Sequence, residues 1–208
     1  MKRILLYFFL LFALKNSYGQ IILTNDTTVC GMQNLDLYAI SASVDSLVTD
    51  DTYTQTINLG FDFDFYGVTY NKMLISSNGY VTFDTTSAGG YSPWAINAAI
   101  PNPGTPPENS IMVTWQDTDP GVAGAIYFGS YGAAPNRVYV VTWCGLAMFS
   151  CNSLIYTSQL RMYEGSNKIE MYLQDKPLCA TWNAGAAVQG LVDATSTNFD
   201  IVNDPVQF

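Results

Sequence analysis

Apolar and polar residues alternate without a break from Ile57 to Phe65. Ile57, Leu59, Phe61, Phe63 and Phe65 are separated by Asn58, Gly60, Asp62 and Asp64. In an extended chain a period of two places the five apolar side chains on one face and both aspartates on the other. The segment is therefore expected to be a strand of an antiparallel sheet with one face dry and one wet. Tyr66-Gly67 reads as a turn into a second strand, Val68 to Ser76. Asn78-Gly79 comes next, between Met73-Leu74-Ile75 and Tyr80-Val81-Thr82-Phe83. Asn-Gly tolerates the positive φ angles of a type I′ turn, so this pair predicts a hairpin of that type.

Residues 85–109 are rich in Gly, Pro, Ser and Asn and read as one long loop. Loops of that length in a compact domain are often functional or mobile. Further strands are expected at Ile111–Trp115, Ala125–Phe128, Arg137–Trp143 and Val188–Val192. A hairpin is expected from Leu154–Glu164 and Lys168–Leu173 around Gly165-Ser166-Asn167. In its second arm Ile169, Met171 and Leu173 are expected to face inward. About ten short strands and almost no helical periodicity predict an all-β fold, an antiparallel two-sheet β-sandwich of jelly-roll type, with a β-barrel as the alternative. Trp115 and Trp143 are expected to fill the sandwich core. Residues 51–208 are expected to form one domain, because each half alone would bury a poor core. Residues 20–50, where Leu35, Leu37 and Ala39 alternate, are a lead-in or an edge strand.

The N-terminus changes the compartment. Met1-Lys2-Arg3 precedes an apolar run from Ile4 to Leu14, and Ser17 and Gly19 supply small residues for cleavage after Gly19. That predicts a signal peptide over residues 1–19; the run is too short for the 20 or so apolar residues of a membrane-spanning helix. Removing it leaves 5 basic against 17 acidic residues, a net charge of −12. Such a surface repels nucleic acid and anionic membranes. No later segment is apolar enough to span a bilayer, so the mature chain is expected to be secreted and soluble. The sequence contains no histidine, which rules out Ser-His-Asp and Cys-His nucleophile systems and histidine-ligated metals. The four cysteines, Cys30, Cys144, Cys151 and Cys179, read as disulfides in an exported chain, and three connectivities are open.

Several segments in order resemble a family. They are Ile57–Phe65 with Tyr66-Gly67, Ile75-Ser76-Ser77-Asn78-Gly79-Tyr80-Val81-Thr82-Phe83, Val113-Thr114-Trp115-Gln116-Asp117-Thr118-Asp119-Pro120, and Val138–Trp143. Together they resemble the nidogen-like extracellular domain. They are similar above all to modules of large secreted bacterial surface proteins associated with gliding motility. Met148-Phe149-Ser150-Cys151 and Trp182-Asn183 through Gln189-Gly190-Leu191 fit that second group. The resemblance implies an extracellular β-sandwich in adhesive or matrix-like proteins, without catalysis. It favours a Cys151–Cys179 bridge, with Cys144–Cys151 as the alternative.

The candidate chemistry is sparse. Asp117 and Asp119, beside Pro120-Gly121, are candidate calcium ligands, with Asp62, Asp64 or Asp84 as possible contributors; the alternative is an Asx-type turn. No other cofactor is implied. Trp94 and Tyr91 in the long loop are candidate binding residues for a glycan or protein, since exposed aromatics stack well on sugars and partner surfaces. The three glutamates, Glu108, Glu164 and Glu170, offer no spacing that singles out a glycosidase pair. Asn25-Asp26-Thr27 fits an N-glycosylation sequon. The function expected is a non-catalytic adhesion or interaction module at the cell surface. The alternatives are a carbohydrate-binding or carbohydrate-active protein and a structural subunit of a larger surface assembly.

Overall fold

The computed structural model describes residues 45–105 and 107–203. The expectations on the signal peptide, the Asn25 sequon, the Leu35–Ala39 alternation and Cys30 lie outside the described residues. Within them the chain forms two six-stranded antiparallel sheets packed as a sandwich, with neither an α-helix nor a closed barrel. The first sheet contains β1 (Asp45–Leu47), β6 (Thr118–Asp119), β7 (Ala125–Tyr131), β8 (Val138–Met148), β9 (Cys151–Tyr163) and β10 (Ile169–Asp175). Its order is β1-β7-β8-β9-β10, with β6 paired to β8. The second runs β12-β11-β5-β4-β3-β2 and is built from β2 (Ile57–Phe65), β3 (Val68–Ile75), β4 (Tyr80–Thr82), β5 (Ser110–Trp115), β11 (Val188–Val192) and β12 (Phe199–Asn203).

The alternation in β2 does what its period dictates: Leu59, Phe61, Phe63 and Phe65 are buried and the residues between them exposed. They join Met73, Ile75, Val81, Ile111 and Val113 against Val141, Trp143, Leu146, Tyr156, Leu160 and Met162 of the other sheet. Strands β4 and β5 are buried at every position, which requires cover on both faces of their sheet. The outer cover is a second core of Leu74, Tyr80, Met112, Trp115, Val188 and Val192 with Tyr53 and Ile100, and Ala88 and Ile96 pack against it. The long loop of residues 85–109 is thus a third layer over the second sheet. Its Gly- and Pro-rich composition marks irregular backbone, and Ala88, Ile96 and Ile100 are the apolar residues by which it seals the sheet.

A bulge decides which tryptophan enters which core. Val188 pairs with Trp115 and Gly190 with Met112, so two steps along β11 oppose three along β5. The amides of Val113 and Thr114 both donate to the Gly79 carbonyl, at 3.1 and 3.0 Å. The extra residue reverses the facing of the strand beyond it. Trp143 fills the inter-sheet core as expected. Trp115 does not; it turns outward beside Met112, and its Nε1 donates to the Pro93 carbonyl at 3.0 Å.

The Asn-Gly hairpin forms between β3 and β4, closed by Ser76 N–H donating to the Tyr80 carbonyl at 2.9 Å. It is not type I′. Gly79 has φ of 80° while Asn78 does not take a positive φ, because its side chain is fully buried and committed to partners on three other segments. The expected inward facing of Leu173 also fails. The β9–β10 register shifts between Leu173 and Asp175, and Leu173 is exposed.

Cys151 and Cys179 form a disulfide with Cα atoms 5.9 Å apart. It ties the start of β9 to the segment leading into β11. Cys144 is disulfide-bonded as well.

A Cβ at Gly79 would sit 2.1 Å from the Thr114 carbonyl oxygen, on top of the positive φ. Gly79→Ala is expected to cost about 3 kcal/mol or more. Gly67→Ala, at φ +81° with nothing within 4 Å, should cost only about 1–2 kcal/mol. Urea unfolding of the two variants measures the difference. The bridge closes a loop with a sequence separation of 28, so Cys151→Ser/Cys179→Ser should lose about 3–4 kcal/mol on the chain-entropy scale, read in the same experiment.

Candidate functional site

The two sheets are joined at one end by a covalently short crossing. β5 ends at Trp115, Gln116 and Asp117 come after it, and β6 has already joined the other sheet by pairing Thr118 with Met148 and Asp119 with Ala147. Asp117 therefore sits at the joint, and it is only 7% exposed. Its backbone carbonyl accepts from Phe149 N–H at 3.2 Å, and its Oδ2 accepts from Trp182 Nε1 at 2.8 Å. Its Oδ1 is buried with no hydrogen-bond partner. The neighbouring Gln116 also buries its side-chain amide without a partner at either atom.

Asp50 and Asp51 meet Asp117 from the turn after β1. That turn is stitched to the joint by a β-bridge between Tyr53 and Ser76, and by Ser77 N–H donating to the Thr52 carbonyl at 3.0 Å. Asp50 Oδ1 accepts from Asp51 N–H at 2.9 Å, and Asp51 Oδ1 accepts from Asn78 Nδ2, also at 2.9 Å. Asp50, Asp51 and Asp117 each present a carboxylate oxygen, all within 4.8 Å of one another. No basic residue answers them: the ion pairs among the described residues are Arg137–Glu164 and Lys168–Glu170. At an effective dielectric constant near 20, two full charges 4.8 Å apart repel by roughly 3 kcal/mol.

Protons relieve that repulsion. Burial, opposed by the Trp182 N–H bond and reinforced by Asp51, Asp50 and Asp119, pushes the Asp117 carboxyl up to about 7. Burial, with Asp51 and Asp119 adding to it, raises Asp50 to about 6. Burial also raises Asp51, against the pull of Asn78.

Asp117 and Asp119 have different roles. Asp119 Oδ1 accepts from Gly121 N–H at 2.8 Å and Val122 N–H at 3.2 Å, which is the local Asx-type turn. Asp117 turns away from that loop and joins Asp50 and Asp51 instead. Asp50 and Asp51 were not legible as partners, because an Asp-Asp pair in a poorly patterned stretch carries no spacing signal toward a residue so far along the chain. Asp62 and Asp64 are exposed on β2, and Asp84 accepts from Thr86 N–H at 2.9 Å; none belongs to the cluster.

Aromatic rings border the acids. Trp182 is placed by the disulfide and a 3₁₀ turn, Asn183–Gly185, with its amide donating to the Cys179 carbonyl at 3.2 Å. Its ring lies 5.5 Å from Trp94 and 4.8 Å from Phe149, centroid to centroid. Trp94 is half-buried by this contact, while Tyr91, bridged to Thr52, is 62% exposed. The glutamates are dispersed: Glu164 holds Arg137, Glu170 holds Lys168, Tyr163 and Tyr172, and Glu108 holds Gly104 N–H and Ser196.

A model of the NIDO-related family matches residues 33–207, most of the chain. The protein belongs to the NIDO-related family. No curated protein and no solved structure matches it. The match spans β1 to β12, so both sheets, the acid cluster and the aromatic rim fall inside the NIDO-related domain. Among its described residues no helix is long and apolar enough to cross a membrane.

The acids set a pH dependence whose sign is fixed. Asp117 and Asp50 hold protons in the folded domain to about 7 and 6, against 3.8 for an unperturbed aspartate. Between those values the unfolded chain releases protons that the folded one keeps, so stability falls as pH rises from about 4 to about 7. Glu164 and Glu170 act oppositely. Hydrogen bonds from Arg137 to Glu164, and from Lys168 to Glu170, lower both carboxyls to about 2 from 4.5, so their contribution is lost as pH falls through that range. In metal-free buffer the melting temperature is expected to peak near pH 4–5, and Asp117→Asn should flatten its decline toward pH 7.5. Thermal melts across that range measure both.

Proposed function

We propose that this NIDO-related domain is an exported, non-catalytic interaction module that recognises a protein or glycan at the cell surface. The observation that carries the reading is the aromatic rim at the sheet joint. Tyr91 is exposed, and Trp94 is held against Trp182, which the Cys151–Cys179 bridge positions. Rigid aromatic rings placed in advance lose little conformational entropy on binding. Export agrees with the disulfides, which persist in oxidising compartments, and with the basic, apolar and small-residue sequence of residues 1–19. The lack of catalysis is supported by the absence of histidine and by the three glutamates being engaged apart from one another.

A second reading, a structural subunit of a larger surface assembly, is favoured by apolar side chains left exposed on outer strands of the described sheets. These are Tyr172 and Leu173 on β10, and Phe199 and Val202 on β12. The likeness of the motif order to modules of gliding-associated surface proteins supports the same placement.

Glycan and surface-protein arrays probed with the oxidised chain test the first reading. Retention on a defined ligand is expected to fall about tenfold, or about 1.4 kcal/mol, in Tyr91→Ala, with an unchanged melting temperature. Hydrolysis of an arrayed glycan by the wild-type chain, lost in Glu164→Gln or Glu170→Gln, would replace it with an enzyme.

A further inference from the structure

The interaction-module reading leaves the carboxylate cluster without a purpose. We propose that Asp50, Asp51 and Asp117 form a calcium site at the joint between the two sheets. Two independent features point to a cation. One is the convergence of three carboxylates, from two separate segments, within 4.8 Å and with no basic side chain paired to any of them. The other is the state of Asp117, a member of the cluster that is 7% exposed and whose Oδ1 is buried and accepts nothing. A buried acceptor left bare costs about 1–3 kcal/mol, more when charged. A cation supplies the missing partner and neutralises the repulsion at once.

The donor chemistry selects the ion. All donors are oxygens, the chain has no histidine, and none of the described cysteines is free. This disfavours zinc, copper and iron, which prefer nitrogen or sulfur. Calcium accepts six to eight oxygens in irregular geometry, whereas magnesium demands a near-ideal octahedron. Carboxylates from a turn and from a strand crossing fit the more permissive ion, with water completing the shell. Asp119 lies outside the ligand set, since its Oδ1 is committed to Gly121 and Val122 N–H, but its charge adds to the local potential. Because Asp117 Oδ2 holds Trp182 Nε1, a bound ion would also fix the ring that carries the aromatic rim.

The experiment uses the full oxidised chain, freed of metal by chelator and titrated with calcium, with magnesium and with terbium(III), a luminescent substitute excited through nearby indoles. Calcium at a hundredfold excess over its Kd is expected to raise the melting temperature by at least about 5 °C. Terbium should give sensitised emission that calcium displaces. Asp117→Asn and Asp51→Asn are each expected to weaken calcium binding at least tenfold. Neither should fold less well without metal, because each removes repulsion. Asp62→Asn, an exposed acid on β2, should bind as the wild type does. Identical melts with calcium and with chelator, equal loss of binding in Asp62→Asn, or a response to magnesium as strong as to calcium would each overturn the assignment. None of these results depends on which surface partner the domain recognises, so the site and the interaction-module reading fail separately.

Discussion

The structure depends on a buried polar joint at the Ser76–Gly79 turn. Two sheets held only by apolar contact can slide, whereas hydrogen bonds across the interface fix their register. Here Trp143 of β8 donates through Nε1 to the Ser76 carbonyl at 2.9 Å. Thr118 of β6 donates its amide to Asn78 Oδ1 and its hydroxyl to the Ser77 carbonyl, at 3.1 and 2.7 Å. Ser76, Ser77, Asn78 and Thr118 are fully buried. Leaving any of their groups unpaired would cost about 1–3 kcal/mol. A network of this kind specifies one arrangement and penalises every other. Gly79 completes the joint, because only a residue without a Cβ lets the Thr114 carbonyl approach.

The candidate site is an outgrowth of that joint. Asn78 spends its Oδ1 on Thr118 and its Nδ2 on Asp51 and Ser92. One side chain thus anchors the first sheet, the acid cluster and the covering loop. Charge at Asp51 and Asp117 is therefore felt where the sheets meet, and the indole of Trp182 carries the same influence outward to Trp94. The acid cluster thus touches the joint through the Asn78–Asp51 hydrogen bond and the aromatic rim through the Trp182–Asp117 hydrogen bond.

The loop of residues 85–109 obeys the same logic. Once the bulge opposite Gly79 turns Trp115 outward, a large ring stands on the outer face of the second sheet and must be covered. Ile96 and Ala88 pack there, and the Pro93 carbonyl receives the indole N–H. Irregular backbone is stable in this position because its own groups pair with the Asp51–Thr54 segment: Ser92 N–H donates to the Asp51 carbonyl and Gly89 N–H to that of Thr54.

Alternation and turn signals were enough to predict antiparallel sheets, with the sandwich preferred to a barrel; the two separate sheets of the structure decide for the sandwich. A period of two in Ile57–Phe65 admits one buried face whatever the tertiary context, and hairpin turns such as Gly165-Ser166-Asn167 are local in their chemistry. The reach of that logic ends where side-chain facing or partnership depends on distant chain. Trp115 changed cores at a bulge where Val113 and Thr114 N–H share the Gly79 carbonyl. Asn78 kept a negative φ because its amide has distant partners, and Leu173, although paired in register with Ser158, falls in the second half of β10, which is exposed throughout. The acid cluster is the extreme case. Asp117 was legible as a candidate ligand from its turn, but its companions Asp50 and Asp51 are set by the tertiary fold, because carboxylates converge only when folding brings the turn after β1 against the crossing between the sheets.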